Sequence, residues 1–208
     1  MIGGDVVIPS LYLASQSPRR RELLHQIGVS HQVLKVDVPE IYDSRETPVE
    51  YVERLAKSKA LAGIEVLRQS GLIARPVLGA DTIGIIDQHI LEKPKNQSDF
   101  MRMMQAMSGR SHHVITALAM CDETRCSVKH VITEVYFRQI TQPEMIRYWQ
   151  TGEPCDKAGG YAIQGFAAVF IDKIIGSYSN VVGLPLETLG LLCRDFDCSY
   201  WQKGIGDE

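Results

Sequence analysis

A strongly marked helix followed by a long apolar strand is the feature of this sequence that most restricts its fold. Thr47 and Glu50 form a capping-box pattern, which starts a helix whose apolar positions continue through Val66 until Gly71 ends it. Residues 77–86 are then mostly apolar and β-branched, which is typical of a buried strand. A buried strand next to an amphipathic helix predicts a protein in which helices cover a sheet.

The rest of the chain mixes both kinds of element. The pattern predicts strands at 11–14, 29–36, 77–86, 90–91, 114–120, 128–137, 161–164 and 167–171, and further helices at 18–27, 98–107, 141–150 and 186–196. Some strands are separated by helices and others by short turns, so both parallel and antiparallel pairing are expected. The predicted fold is therefore α/β, a mixed twisted sheet with flanking helices.

Composition excludes several classes of protein. With 208 residues, 45% hydrophobic and 23% charged, the chain resembles an ordinary globular protein, and we expect a single domain over residues 1–208. The formal net charge of −3 provides no basic field that would attract nucleic acid. Any polyanion bound here must meet a local cluster of cations, which suits a small phosphorylated ligand.

Targeting signals and cysteines indicate the compartment. Met1–Ser10 contain no basic segment followed by an apolar run. No stretch reaches the roughly eighteen apolar residues of a membrane span. The five cysteines match neither a CxxC pair nor a zinc site, so reduced thiols are expected. These observations favour a cytoplasmic protein without membrane association.

Hydroxyl and guanidinium groups are concentrated where the first strand meets the first helix. Ser15 and Ser17 precede Pro18, with Ser17 as a candidate helix cap, and Arg19–Arg21 follow in the first helical turn. Free backbone N–H groups and the helix dipole favour an anion at this point, and disfavour arginines unless an anion is bound. The pattern indicates a phosphate site, and a capped helix with solvated arginines is the alternative.

An acid interrupts the apolar strand at 77–86. A buried Asp81 cannot remain unpaired. It is either hydrogen-bonded for structural reasons or faces a cleft where Mg²⁺ or Mn²⁺ and an attacking water make use of it, and the residues alone leave both readings open. Lys93, which precedes a proline, and Lys59 on the long helix are candidate cations, although surface lysines are usually only solvated.

Two glycine-rich stretches, 156–165 and 176–185, allow the backbone to approach a ligand closely. The latter is expected to be a loop. The sequence lacks the GxxxxGK[ST] and GxGxxG phosphate motifs and the GxSxG and HExxH motifs of hydrolases. His112 and His113 are expected at a strand edge or on the surface.

Taken in order, these segments resemble the Maf family of nucleoside triphosphate pyrophosphatases, also described as septum-formation inhibitors. The resemblance covers about residues 11–196 and rests on LYLASQSPRRRELL, RLAKSKA, VLGADT, LEKP, DKAGGYAIQG and GSYSNVVGLPL. It implies a fold like that of Maf proteins and inosine triphosphatases, with two lobes around a cleft, a divalent metal cofactor (Mg²⁺ or Mn²⁺) and a homodimer. It also implies house-cleaning of nucleotide pools and a link to cell-division arrest.

The resemblance assigns chemistry to particular residues. It makes Asp81 the base and a metal ligand, and it makes Lys59 and Lys93 catalytic lysines. It also implies that Ser15 and Arg20 bind the substrate.

The resemblance further divides the family by substrate. Arg19, Thr82 and Gln164 mark the branch that acts on dTTP and UTP, with Thr82 and Gln164 expected to read the pyrimidine edge. A 7-methyl-GTP pyrophosphatase, a pyrophosphatase for many modified nucleotides and a non-hydrolytic nucleotide-binding regulator of septum formation are the alternatives.

One departure from the family pattern concerns the metal. The family commonly has two adjacent acids where this chain has Pro39 and Glu40. Glu40 is therefore expected to be the second metal ligand, with Asp37 and Asp43 as alternatives.

Overall fold

Parallel strands form one half of the central sheet. The computed structural model of this protein describes residues 9–202. In it, strand β1 (Leu11–Leu13) lies between β2 (His31–Val33) and β3 (Val77–Ile86) and is parallel to both. Connections that run through helices give these strands a common direction, as the alternating sequence pattern predicts.

Antiparallel strands form the other half. Strands β4 (His89–Leu91), β5 (Ser111–Cys121), β6 (Cys126–Phe137) and β7 (Ile171–Ile175) complete a seven-stranded sheet. The order is β2-β1-β3-β5-β6-β7, with β4 also paired to β3. The predicted mixed α/β fold is confirmed.

A gap in strand pairing lies along one edge of β3. On that edge β3 pairs with β1 as far as Leu78 and with β4 from Gly84 onward. The segment 79–83 therefore has no strand on that side among the described residues, although its other edge pairs with β5 throughout. This gap opens the sheet beside Asp81.

Six α-helices surround the sheet within the described residues. They are α1 (Pro18–Gln26), α2 (Pro48–Ser70), α3 (Gln97–Met107), α4 (Gln142–Gln150), α5 (Tyr178–Val182) and α6 (Leu186–Asp195). The capping box of α2 is formed by Thr47 and Glu50, and Gly71 ends the helix with a φ of 65°. The main sequence signals for this helix are confirmed.

Close contact between α2 and β3 depends on Gly79. A Cβ there would overlap the Ala56 carbonyl oxygen and lie 2.6 Å from the Ala60 nitrogen. Because glycine has no Cβ, the helix can lie directly against the strand. This contact brings Lys59, one residue before Ala60, next to Asp81, which lies on the same face of the strand as Gly79.

The two faces of the sheet are covered by different helices. Leu78 packs with side chains of α1 and α6, whereas Val77 packs with side chains of α2. Because strand residues alternate between faces, Asp81 lies toward α2 and Thr82 toward α1.

The segment after α4 differs from the prediction of two strands at 161–164 and 167–171. It forms short 3₁₀ helices, including Ala158–Gly160 and Phe166–Phe170, and the strand begins only at Ile171. Gly159 and Gly160 both have a φ of 71°, which interrupts an extended chain. The expected loop at 176–185 contains α5, whose first turn Ser177 caps.

Two expectations about individual side chains are wrong. Cys121 and Cys126 form a disulfide, since they are directly opposite each other where β5 and β6 meet, so these two thiols are not reduced. Cys155, Cys193 and Cys198 are free. His112 does not lie at the surface: it pairs with Val135 of β6, and its side chain points into the core, where it is 1% exposed.

No helix within residues 9–202 is both long enough and apolar enough to cross a membrane. The expectation about Met1–Ser10 concerns residues that, apart from Pro9 and Ser10, lie outside the described part of the chain.

Candidate active site

A cavity of about 770 Å³ lies at the gap beside β3. Its volume is within the range of pockets that bind small ligands. All the side chains predicted for the site line it: Ser15, Arg19, Arg20, Glu40, Lys59, Asp81, Thr82, Lys93 and Gln164. The fold thus brings together residues from separate parts of the sequence.

The Lys59 ammonium lies between two carboxylates. Its Nζ atom is 2.6 Å from Asp81 Oδ1 and 2.6 Å from Glu40 Oε1. Asp81 is buried at 7% exposure, and Lys59 donates to it, so the buried charge does not remain unpaired. The carboxylate is therefore hydrogen-bonded, as one reading expects, and it also lines a cavity, as the other reading requires.

The environment changes the pKa of both acids, in opposite directions. Burial raises the pKa of Asp81 above its ordinary value, and the charges of Lys59 and Arg20 offset only part of this effect. Burial also acts to raise the pKa of Glu40, but the hydrogen bond and charge of Lys59, together with Lys93 and Arg20, bring it below its ordinary value. Asp81 is thus more basic than an ordinary aspartate.

Of the three acids considered for the second metal ligand, Glu40 is the one that lines the cavity. Asp43 is engaged by the side chain and backbone of Arg45, and Asp37 does not line the cavity. Within residues 9–202, no group of three or more His, Cys, Asp or Glu side chains could hold a metal ion. A metal here would need oxygen ligands from the substrate in addition to Asp81 and Glu40.

Arg20 is a buried cation in a dense set of hydrogen bonds. Its Nη1 donates to Ser15 Oγ (3.0 Å), its Nη2 to Thr82 Oγ1 (3.0 Å) and its Nε to the Gly183 carbonyl (2.9 Å). Burial lowers its pKa, which the nearby charge of Asp81 partly opposes. The guanidinium therefore fixes both hydroxyls while it contributes positive charge to the cavity wall.

The turn before α1 leaves backbone donors available. The Ser17 side chain does not make the cap hydrogen bond that the sequence suggested. Instead, the Ser17 N–H donates to Ser15 Oγ at 3.3 Å. Without a side-chain cap, N–H groups of the first helical turn can donate to an anion.

The remaining predicted residues lie at the rim of the cavity. Lys93 and Gln164 are exposed and Arg19 is partly buried, and all three line the opening. Such side chains can reorient when a ligand binds.

Sequence reasoning missed other residues that line the cavity. Lys157 is paired with Asp156. The sequence pattern indicates a glycine-rich segment here but gives no role to the charged side chains of Asp156 and Lys157. Tyr51 also lines the cavity, and burial raises its pKa, with smaller contributions from Asp81 and Glu40. Its position on the buried face of α2 gave no signal beyond core packing.

Comparison with known proteins shows the family of this chain. A family model described as Maf-like protein matches residues 10–196. The chain belongs to the Maf family. This Maf-like protein is 50% identical over 193 residues to a dTTP/UTP pyrophosphatase of Saccharophagus degradans, which covers 93% of this chain and 91% of that protein.

Other relatives have the same name. The dTTP/UTP pyrophosphatase of Aliivibrio fischeri is 49% identical to this Maf-like protein over 89% of this chain and 97% of the relative. That of Photobacterium profundum is 45% identical over 89% and 96%. Among solved structures, the Ham1 protein of Staphylococcus aureus matches with a TM-score of 0.40 and 11% identity over 61% of this chain and 71% of that one, a likeness too weak to support an argument.

The geometry defines what this Maf-like protein can do chemically. Cations of α1, α2 and the segment after β4 surround a cavity that also contains a basic carboxylate. Such a site can bind a polyphosphate and take a proton from a water molecule next to it.

Proposed function

We propose that this protein hydrolyses dTTP and UTP to the nucleoside monophosphate and pyrophosphate. The observation that carries the proposal is that a buried carboxylate of raised pKa shares one cavity with cations from separate segments. The name dTTP/UTP pyrophosphatase of relatives at 45–50% identity supports the substrate. The presence of Arg19, Thr82 and Gln164 along the same cavity also supports it.

Triphosphate binding is the first part of the mechanism. Arg19 and Lys93 contact phosphate oxygens from the rim, and Lys59 and Arg20 contribute charge from inside the cavity. The first-turn N–H groups of α1 donate to the same oxygens. Charge-assisted hydrogen bonds of this kind hold the triphosphate and neutralise the charge that develops on the leaving pyrophosphate.

Asp81 acts on the attacking water. Its raised pKa makes it a better proton acceptor than an ordinary aspartate, and Lys59 holds the carboxylate in place. The water oxygen forms a bond to the α-phosphorus while its proton passes to Asp81. The bond between the α-phosphorus and the bridging oxygen breaks, and its electron pair leaves with pyrophosphate.

A divalent cation, Mg²⁺ or Mn²⁺, is part of the proposal. Asp81 and Glu40 both line the cavity, and their carboxylate oxygens are hard donors that would hold either ion together with phosphate oxygens. When bound, the ion supplies charge neutralisation and polarises a phosphate oxygen.

Base recognition involves Gln164 and Thr82. The Gln164 amide can donate and accept at the edge of a pyrimidine. The Thr82 hydroxyl lies deeper in the same cavity, where it is fixed by Arg20.

We propose that the protein acts in the cytoplasm, where nucleotide pools are held. It works as a homodimer of single-domain chains and removes unwanted nucleotides from those pools. A contribution to cell-division arrest would follow from that change in nucleotide supply.

A substrate panel tests this function. The wild-type protein is incubated with dTTP, UTP, CTP, GTP and 7-methyl-GTP and either Mg²⁺ or Mn²⁺, and pyrophosphate and orthophosphate are measured separately. We expect pyrophosphate to be released fastest from dTTP and UTP. Orthophosphate as the first product would contradict attack at the α-phosphorus.

Other outcomes of the panel favour the alternatives. The highest kcat/KM with 7-methyl-GTP would favour that branch of the family. Stabilisation by nucleotides in calorimetry without release of pyrophosphate would favour a non-hydrolytic regulator.

A further inference from the structure

A line of hydrogen bonds runs from the cavity across β3 and β5, along one face of the sheet, to α5. Arg20 Nη2 donates to Thr82 Oγ1 at 3.0 Å, and Thr82 Oγ1 is 2.9 Å from Thr116 Oγ1. Thr116 Oγ1 in turn donates to the Asn180 carbonyl at 2.9 Å. Thr116 and Asn180 are fully buried, whereas Thr82 is partly exposed to the cavity.

The chemistry of the two ends fixes the direction of every proton in this line. The Asn180 carbonyl can only accept, so the single hydroxyl proton of Thr116 points toward it. Thr116 must then accept from Thr82. The guanidinium of Arg20 can only donate, so Thr82 is an acceptor on its other side.

The opposite direction is unfavourable. If Thr116 donated to Thr82, the oxygens of Thr116 and Asn180 would remain 2.9 Å apart with no proton between them. Two acceptors at that distance repel each other, and a buried hydrogen bond would be lost. Relaxation is restricted because the Gly183 N–H also donates to the Asn180 carbonyl at 2.9 Å.

The Asn180 side chain anchors the line. Its Oδ1 accepts from the Thr116 N–H at 3.0 Å, and its Nδ2 donates to the Val114 carbonyl at 3.0 Å and to Thr133 Oγ1 at 2.8 Å. Both amide protons are therefore used. Asn180 cannot rotate without breaking buried hydrogen bonds, so Thr116 has a fixed acceptor.

The fixed direction determines what Thr82 presents to a ligand. Its proton is used by Thr116 and one lone pair by Arg20, so one lone pair is left. We propose that Thr116 and Asn180 are positioning residues that make the Thr82 oxygen a hydrogen-bond acceptor toward the cavity. The site then favours a pyrimidine whose N3 carries a hydrogen, as in thymine and uracil, over cytosine, whose N3 is an acceptor. This inference deepens the proposed function and rests on it.

Thr116→Val tests the inference. Valine has nearly the shape of threonine but cannot accept from Thr82, whose hydroxyl proton is then free to turn into the cavity and donate to cytosine. We expect the ratio of kcat/KM for UTP to that for CTP to fall about tenfold, the effect of about 1.4 kcal/mol. Thr116→Ser restores the acceptor and is expected to restore the ratio.

Thr133→Val is the matched control. It removes a buried hydroxyl from the same network but leaves the line from Thr82 through Thr116 to the Asn180 carbonyl intact. We expect it to keep the wild-type ratio even if it lowers thermal stability. A wild-type ratio in Thr116→Val, or an equal fall in Thr133→Val, would overturn the inference.

A measurement on the wild-type protein covers the case in which Thr116→Val does not fold. UTP methylated at N3 cannot donate to Thr82, and we expect its kcat/KM to be at least about tenfold below that of UTP. Equal rates for the two nucleotides would overturn the inference. If the wild-type protein releases no pyrophosphate from any nucleotide, the proposed function itself fails, which is a distinct result.

Discussion

The Nζ atom of Lys59 lies 2.6 Å from Oδ1 of Asp81, inside a cavity that the fold opens along one edge of β3. This contact keeps a buried carboxylate paired and still next to the proposed substrate. Lys59 reaches Asp81 because Gly79 lets α2 approach β3 closely. The same pair of residues therefore links packing, charge and the proposed chemistry.

Replacing the Asp81 carboxylate separates catalysis from folding. Asp81→Asn keeps the shape of the side chain but cannot take a proton from water. We expect kcat to fall by roughly two to four orders of magnitude, the usual contribution of a general base. Release of pyrophosphate from dTTP and a circular dichroism spectrum are the measurements, and a fully active variant with a native spectrum would exclude Asp81 as the base.

The same variant should change stability in a pH-dependent way. Burial raises the pKa of Asp81, so the folded state binds this proton more tightly than the unfolded chain, and the ionised carboxylate costs stability above the folded pKa. We expect Asp81→Asn to have a higher melting temperature than wild type at pH 7. The difference should shrink as the pH falls below the folded pKa toward the unfolded value of about 3.9. A lower melting temperature at pH 7 would contradict this assignment.

Removing the Lys59 charge should shift the pH dependence of activity. The charge of Lys59 lowers the pKa of Asp81, so Lys59→Met is expected to raise that pKa further and move the acidic limb of the profile to higher pH. The measurement is log kcat/KM for dTTP against pH. Lys57→Met, on an exposed position of the same helix, is the control. An acidic limb at the wild-type pH in Lys59→Met would show that Asp81 does not control it.

Glu40 can be tested as a metal ligand. Glu40→Gln replaces a charged oxygen donor by a neutral amide, so the Mn²⁺ concentration that gives half-maximal activity should rise on the order of tenfold or more. Asp43→Asn is the control, because Asp43 is engaged by Arg45. If both variants have the wild-type metal dependence, Glu40 does not bind the ion.

His112 should make the protein sensitive to acid. Burial, with a smaller contribution from the charge of His113, lowers the pKa of His112 to about 4. Its Nε2 is 2.7 Å from the Tyr161 hydroxyl, and its Nδ1 has no hydrogen-bond partner among the described residues. Between pH 6.5 and 4 the unfolded chain therefore binds a proton that the folded state does not, and stability falls as the pH is lowered.

This effect can be isolated with a variant. The free energy of unfolding should fall by up to roughly 3 kcal/mol more in wild type than in His112→Gln between pH 7 and pH 4. Urea titrations at both pH values measure it, with His113→Gln, at an exposed position, as the control. Parallel pH dependence in wild type and His112→Gln would show that His112 does not carry the effect.

The sequence by itself determined the elements that depend on near neighbours. The capping box of Thr47 and Glu50 and the helix end at Gly71 are local interactions, so the pattern predicted them correctly. The apolar run around Asp81 likewise identified both a buried strand and an unusual acid. Every residue expected at the site lines one cavity, because the family motifs from which they were taken lie on helices, loops and strand segments that meet there.

Only the tertiary structure decided how distant residues meet. It placed Glu40, rather than Asp37 or Asp43, along the cavity and separated Asp81 and Thr82 onto opposite faces of β3. It also buried His112 and paired Cys121 with Cys126. The reason is that local sequence fixes backbone preferences within a few residues. The approach of α2 to β3 at Gly79, and the proton direction from Thr82 to Asn180, arise from packing between segments far apart in the chain.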